Sequence, residues 1–446
     1  MKTVAQIDSS WNVKISGSFI EGNANSPPTF NSSGNLVIPG TFIEGNSQPT
    51  FTRSSVAYKS DGTQVAANTP RFETGKFGQA VMVEEGTTNL ISGTNGVSNF
   101  SSFYNGAQLV TITHPVWGIQ VSAIKLPAGT TVPGAYSQTL NLSTNTYYTV
   151  SFDVWATGAS QFDVDLYPDT LPQQNQSIDG SFRRITWTLT SSSTNMSSCQ
   201  LRFFNDIVKP NPYDIYITNV QIEQKSYATS FITGTRSSET LTIPTAGVLD
   251  PAQGTIECWV YVNDIIKRVD GIYRVIWYAL PVGDTVNGWL VLDHFGNSAN
   301  WRIAVSNGST STAYSISDSY TPNGWHFFSL TYNKSDGSIR LLIDGVLRFS
   351  TIGAPLPNSY ANLFVGLAKE QARWCDSFID DLRISSIARS DAEIAAAYQS
   401  NAPLPVDQYT TAKLNFDGTL FLSSPIQLNS SGNLVIPGTF IEGVIL

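Results

Sequence analysis

Short runs of β-branched and aromatic residues recur along the chain between clusters of Gly, Asn, Ser and Pro, and apolar and polar positions alternate within them. A period of two marks strands with one buried face, and the interrupting clusters supply turns. The pattern predicts strands over Tyr148–Trp155, Phe162–Leu166, Ile185–Leu189, Ile215–Ile222 and Ile256–Val262. Ile339, Leu341 and Ile343 share one face of a further strand, and Asp344-Gly345 directly after them is a hairpin signal. Helix signals are nearly absent. The exception is Ser390-Asp-Ala-Glu393 before Ile-Ala-Ala-Ala-Tyr-Gln, a capping box in which Ser and Glu satisfy each other's free backbone N–H groups. An all-β chain is expected, of the sandwich or jelly-roll kind.

Superimposed on this pattern is a repeat. Asn31–Gly45 and Asn429–Gly443 are the same fifteen residues, NSSGNLVIPGTFIEG, and Ile7–Gly22, IDSSWNVKISGSFIEG, is a looser copy. Ser33-Gly34-Asn35 is turn chemistry, since Gly and Asn tolerate positive φ. Leu36-Val37-Ile38 follows, Pro39-Gly40 stops it, and Thr41-Phe42-Ile43 leads into Glu44-Gly45. Each copy reads as two strands of about three or four residues. Two-stranded pieces are marginal in water, so their apolar residues need partners from other copies or other chains. Phe19, Ile20, Phe42, Ile43, Phe440 and Ile441 are the expected assembly residues, with a homotrimer as the expected product. The simpler alternative is a local hairpin docked on its own domain. A catalytic site has no need of one peptide near both ends of the sequence, so the repeat points to a modular structural chain.

Composition narrows the class further. With 446 residues the chain has room for several domains. Hydrophobic residues make up 41% and charged residues only 13%, so Ser, Thr, Asn and Gly carry the surface, as in extracellular or particle proteins. A net charge of −9 disfavours nucleic acid and anionic membrane as partners. Cys199, Cys258 and Cys375 are widely spaced and odd in number, which makes neither a disulfide framework nor a zinc site. Cys258, inside an apolar run, is expected to be a buried thiol. The first twelve residues lack a secretory apolar stretch, and no segment reaches membrane-spanning length. Synthesis in a host cytoplasm without a signal peptide, and delivery within a virion, is the expectation.

Five ordered motifs across Gly254–Gln399 carry a resemblance. They are Gly254-Thr-Ile-Glu-Cys-Trp-Val260, Asn323-Gly-Trp-His-Phe-Phe-Ser-Leu-Thr-Tyr332, Ile339-Arg-Leu-Leu-Ile-Asp-Gly-Val346, Leu363-Phe-Val-Gly366, and Ile379-Asp-Asp-Leu-Arg-Ile384 leading into Ile387–Ile394. The stretch resembles the laminin-G-like, concanavalin A-like jelly roll. In that family a strand like Gly75–Val83 is followed at once by one like Glu239–Pro244; here Glu85–Ser237 intervenes. A second domain inserted in a loop of the first explains the gap, since a loop with close ends tolerates insertion. Tyr147–Trp155 and Tyr213–Ile222 of the insert are similar to carbohydrate-binding β-sandwich modules. Thr69–Phe72, Glu84–Leu90, Val220–Gln224 and Ala228–Ile232 resemble linkers of phage-encoded structural proteins. The expected organisation is N-terminal repeats over 1–50, the jelly roll over 51–86 and 236–400, the insert over 87–235, and a linker with the last repeat over 401–446.

Catalysis is not expected. Jelly-roll glucanases of the Glu-x-Asp-x-x-Glu kind place acid and base on one strand face, and no such triplet exists here. Asp380-Asp381 and Glu84-Glu85 each point to opposite faces of a strand; Asp163 and Asp165 share one, read as a solvated sheet face. His114, His294 and His326 are scattered, and nucleophile elbows, P-loops and dinucleotide fingerprints are missing. Calcium is the one cofactor the family resemblance implies, with Asp293 and Asp380 as candidate ligands beside Asn297 and Asp376. Sugar binding needs an exposed aromatic face with polar groups around it, and Trp374, Trp301 and Asp376 are the candidates; Trp259 and Trp325 are read as core. Together these point to a phage or phage-like fibre or appendage protein, with itself, other virion proteins and host-surface carbohydrate as partners. A bacterial surface or secreted adhesin is the alternative, and a polysaccharide-degrading enzyme the third.

Overall fold

The structure, a computed structural model, describes residues 49–418 apart from 92, 130–131, 168–173, 192–195, 206–210, 269, 281–287, 297, 299, 318–321 and 369–372. Outside that span it describes only the backbone of eight short strands in 1–48 and 419–446. Two compact units emerge. One comprises 1–52, 72–85 and 239–446, the other 53–71 and 86–238. The second unit spans the expected insert, 87–235, together with 53–71.

The first unit contains a sandwich of two antiparallel sheets. One sheet runs Arg71–Thr74, Gln79–Val83, Ser377–Ser385, Gln253–Val262, Gly324–Asn333, Ser338–Ile343 and Val346–Thr351, with Thr410–Leu414 also paired to Ser377–Ser385. The other runs Ser311–Ser317, Asn300–Ser306, Trp289–Phe295, Arg274–Leu280, Asn362–Val365, Thr240–Pro244 and Thr50–Thr52. Alternation sends Ile256, Cys258, Val260, Leu330, Ile339, Leu341 and Ile343 of the first sheet into one core with Leu241, Trp277, Leu292, Trp301, Ile303 and Leu363 of the second. Each such side chain, fully buried, contributes about 1.5–3 kcal/mol of transfer free energy.

Local signals produced the local structure they predict. Ile343 pairs with Val346 across Asp344 and Gly345, whose φ values of 53° and 72° suit a two-residue hairpin turn. The helix Asp391–Ser400 opens on Ser390, whose hydroxyl accepts from the Glu393 amide while Glu393 accepts from the Ser390 amide. Among the described residues it is the one α-helix, and none is long and apolar enough to cross a membrane. At the point of insertion, the Glu239 amide donates to the Glu84 carbonyl at 3.0 Å and the Glu84 amide to Glu239 Oε2 at 2.9 Å. That double clasp keeps the ends of the interrupted loop adjacent.

The second unit is a sandwich of two five-stranded antiparallel sheets. One is ordered Gln108–Thr113, Gln120–Leu126, Ile215–Glu223, Tyr147–Ala156, Arg183–Thr190. The other is ordered Phe100–Tyr104, Gly134–Ser137, Gln200–Asn205, Ser160–Tyr167, Gln174–Ile178. Phe152, Phe162, Val164, Leu201, Phe203 and Ile217 meet between them. Every strand predicted in this unit is present, one to three residues longer than the apolar run that announced it.

Candidate functional site

In the sheet that carries Ser160–Tyr167, alternation separates a face buried in the core from an opposite face. Phe162, Val164 and Leu166 enter the core, so Asp163, Asp165 and Tyr167 lie on the opposite face. On the neighbouring strand Leu201 and Phe203 are fully buried, leaving Gln200, Arg202 and Phe204 outward. Register then fixes the rows. Asp165 faces Arg202, which faces Tyr136, which faces Ser102. Asp163 faces Phe204 on one side and Asn175 on the other.

Arg202 sits at the centre of this face. Its Nε donates to Asp165 Oδ1 at 2.7 Å and Nη2 donates to Asp165 Oδ2, a two-pronged pair. Its guanidinium carbon lies 4.2 Å from the ring centre of Tyr167, 5.4 Å from that of Tyr136 and 5.8 Å from that of Phe204. Partial burial opposes the charge on Arg202, but the hydrogen bond and charge of Asp165 outweigh it and raise its pKa. Tyr104 stacks obliquely on Tyr136 at 4.8 Å. Tyr104 and Tyr167 are 49% and 51% exposed, so aromatic surface stays open at both ends of the row. Asp163, expected in solvent, is instead buried and accepts from Asn175 Nδ2 at 3.2 Å. The result is an open face of aromatic rings around a guanidinium–carboxylate pair, with Asn175 and Gln200 at its edges.

The jelly roll offers a smaller cleft. Val275, Tyr278, Trp289, Asp293, Arg302 and Arg373 line about 140 Å³. Arg302 donates to both oxygens of Asp293, at 2.9 and 2.6 Å, and Arg302 and Arg373 lie 4.2 and 4.0 Å from the ring centre of Tyr273. Burial pushes the Asp293 carboxyl up despite its arginine partner, and burial lowers the pKa of Arg373. The cleft falls below the about 300–1,000 Å³ of usual small-molecule sites. A larger groove of about 470 Å³ in the second unit is lined by Gly86, Thr87, Leu90, Lys225 and Arg236 among others, without an aromatic face.

The residues singled out in the sequence are placed differently. Trp301 is fully buried against Phe328 and His294 and presents no face to a sugar. Trp374 is half-buried against the core, and its indole N–H donates to the Glu239 carbonyl at 2.9 Å. Asp376 is buried, accepting from the Glu85 amide at 2.8 Å with Arg274 Nε at 3.9 Å. For calcium, Asp293 is saturated by Arg302, and Asp380 is buried and accepts from the Phe77 amide at 2.9 Å. Asn297 lies outside the described residues. Among the described residues no three His, Cys, Asp or Glu side chains are grouped to hold a metal ion. The opposite-face reading of Asp380-Asp381 fails too. A register shift and a φ of 53° at Asp381 mark a bulge that buries both, with Asp381 ion-paired to Lys413. Ile20, Phe42 and Ile43 lie in backbone-described strands, while Phe19, Phe440 and Ile441 lie outside the described residues. All three cysteines are buried and outside any disulfide, Cys258 included.

Residues 233–395 match the family model of the concanavalin A-like lectin/glucanases superfamily, a laminin-G-like domain. No curated protein matches the chain. Among solved structures, a putative carbohydrate binding protein from Bacteroides ovatus is 13% identical, with 70% of this chain and 90% of that one covered at a TM-score of 0.31. A heptameric SAP-like pentraxin from Limulus polyphemus is 12% identical, with 34% of this chain and 73% of that one covered at 0.28. The Ruminococcus gnavus IT-sialidase CBM40 bound to alpha2,3 sialyllactose is 13% identical, with 32% and 82% covered at 0.27. This is a nearly all-β chain whose first unit contains a concanavalin A-like domain.

Proposed function

We propose that this protein is a glycan-binding structural component of a phage or phage-like particle, a fibre or appendage that engages host-surface carbohydrate. One observation carries the binding half: the open face of Tyr104, Tyr136, Phe204 and Tyr167 around the Arg202–Asp165 pair. Aromatic rings cover the apolar C–H faces of a sugar, while a fixed guanidinium, carboxylate and amide satisfy its hydroxyls with charge-assisted hydrogen bonds. The flat, open form suits an extended polysaccharide better than a free monosaccharide. The particle half is supported by the repeat, whose copies serve as assembly units, and by the composition, low in charge and rich in Ser, Thr, Asn and Gly.

A glycan array probed with the full chain tests the binding half. Retention of a defined set of surface polysaccharides, with no oligosaccharide released on prolonged incubation, is the expected result. Absence of retention across bacterial surface glycans would overturn it, and release of products would favour the polysaccharide-degrading alternative.

A further inference from the structure

Each copy of the terminal repeat pairs its first strand, in the same register, with the short strand that ends at or just before the start of that copy. Gln6 pairs with Lys14 and Ile7 with Val13 in the first copy. Thr29 pairs with Val37 and Phe30 with Leu36 in the second. Gln427 pairs with Val435 and Leu428 with Leu434 in the third. These are equivalent positions of the repeat.

The copies differ in what covers the outer edge of the repeat's first strand. In the first copy the chain's own next strand, Ile20–Ala24, does so, through Val13 and Gly22. In the second and third copies the two edges cover each other: Leu36 pairs with Ile436, Val37 with Val435 and Ile38 with Leu434. Both strands read Leu-Val-Ile, so this antiparallel register is symmetric about the Val37–Val435 pair. Exchanging the two strands reproduces the same pairs. A second symmetric pairing, Ile20 with Glu44 and Glu21 with Ile43, joins the Phe-Ile-Glu-Gly segments of the first two copies.

A strand edge is a template for pairing, and a self-complementary one accepts any copy of itself. Two edges that had only to meet each other within one chain would not need the same sequence. Identity makes the edge of a second chain as good a partner as the edge of the same chain, with every hydrogen bond kept. One three-residue pair is marginal alone, but two chains exchanging edges form two such pairs at once, and the second closes at high effective concentration.

We propose that Leu36–Ile38 and Leu434–Ile436 form a homotypic coupling between two copies of this chain, Leu36–Ile38 of each pairing with Leu434–Ile436 of the other around a twofold axis. This deepens the assembly half of the proposed function, is independent of glycan binding, and sets a twofold in place of the expected trimer. The test uses the full chain carrying Val37→Cys and Val435→Cys. Facing residues of an antiparallel pair have Cα atoms about 4.5–5.5 Å apart, within the about 4.4–6.8 Å that a disulfide spans. The native cysteines are buried and do not compete.

The expected result is a covalent dimer on a non-reducing gel, with peptide mapping placing the disulfide between positions 37 and 435. The unsubstituted chain should show twice the chain mass of 48.5 kDa by light scattering. A monomer carrying the same 37–435 disulfide would overturn the coupling and leave a clasp within one chain. A dimer or trimer of the unsubstituted chain whose cysteine variant forms no such disulfide would keep assembly but overturn this pairing. A mass of one chain at every concentration would overturn the coupling whatever the variant does.

Discussion

The guanidinium carbon of Arg202 lies 4.2 Å from the centre of the Tyr167 ring while the same group holds both oxygens of Asp165. Ring and charge are thereby locked into one surface before any ligand arrives, which reduces the ordering that binding must supply. Tyr104 and Tyr167 are about half exposed and sit outside the core, so their replacement should leave folding intact. Tyr104→Ala and Tyr167→Ala are each expected to weaken binding of the array-selected glycan about tenfold, the equivalent of about 1.4 kcal/mol. Titration calorimetry of each variant checks this, with unchanged affinity in both as the contrary result.

Trp301 and Trp374 should separate folding from binding. Trp301 is fully buried, so Trp301→Ala is expected to cost about 3–5 kcal/mol of stability. Trp374→Phe loses one hydrogen bond to the Glu239 carbonyl, worth about 1 kcal/mol, and should leave glycan affinity unchanged. Denaturant unfolding and glycan titration of the two variants measure both effects.

The first unit should lose stability as pH rises through the weakly acidic range. Burial raises Asp376 to about 7, helped by the nearby Glu85 charge, and raises Asp380 to about 6, each from an ordinary 3.8. Between about pH 4 and pH 7 the folded chain therefore holds protons that the unfolded chain has released. Stability falls across that window and the loss is complete above about pH 7. Asp376→Asn removes the larger contribution. Its unfolding midpoint is expected to fall less than that of the unsubstituted chain between about pH 5 and pH 8. Equal slopes would contradict the assignment.

Thr410–Leu414 lies beyond the expected jelly-roll limit at 400, yet it pairs with Ser377–Ser385, buries Ala412 and Leu414 and brings Lys413 to Asp381. A fragment covering 49–418 should fold cooperatively. One ending at Pro403 should unfold at a clearly lower midpoint, because it leaves Asp381 without its cation and opens the sheet edge. Thermal melts of the two fragments decide the point.

Features set by a few adjacent residues were legible in the sequence. The Ser390 capping box and the Asp344-Gly345 turn depend on neighbours in the chain, and both formed as expected. Alternation also placed Asp163 and Asp165 on one outward face of their strand. It carried no information on which strand lies alongside, so the pairing of Asp165 with Arg202, thirty-seven residues away, was invisible. Trp301 shares its alternation with Ile303 and Val305, an inward signal that fits its burial in the core. The bulge at Asp381 defeats alternation altogether, since one extra residue rotates the side chains that follow. Strand register, more than strand location, is what the linear pattern withheld.

The most direct test of the central claim is a calorimetric titration of the strongest array glycan into the unsubstituted chain and into a Tyr104→Ala, Tyr167→Ala, Arg202→Ala triple variant. With the unfolding midpoint of the second unit, which carries the three residues, unchanged, the variant is expected to lose at least about a hundredfold in affinity, the equivalent of about 2.7 kcal/mol. An affinity equal to that of the unsubstituted chain would place the binding elsewhere and contradict the account.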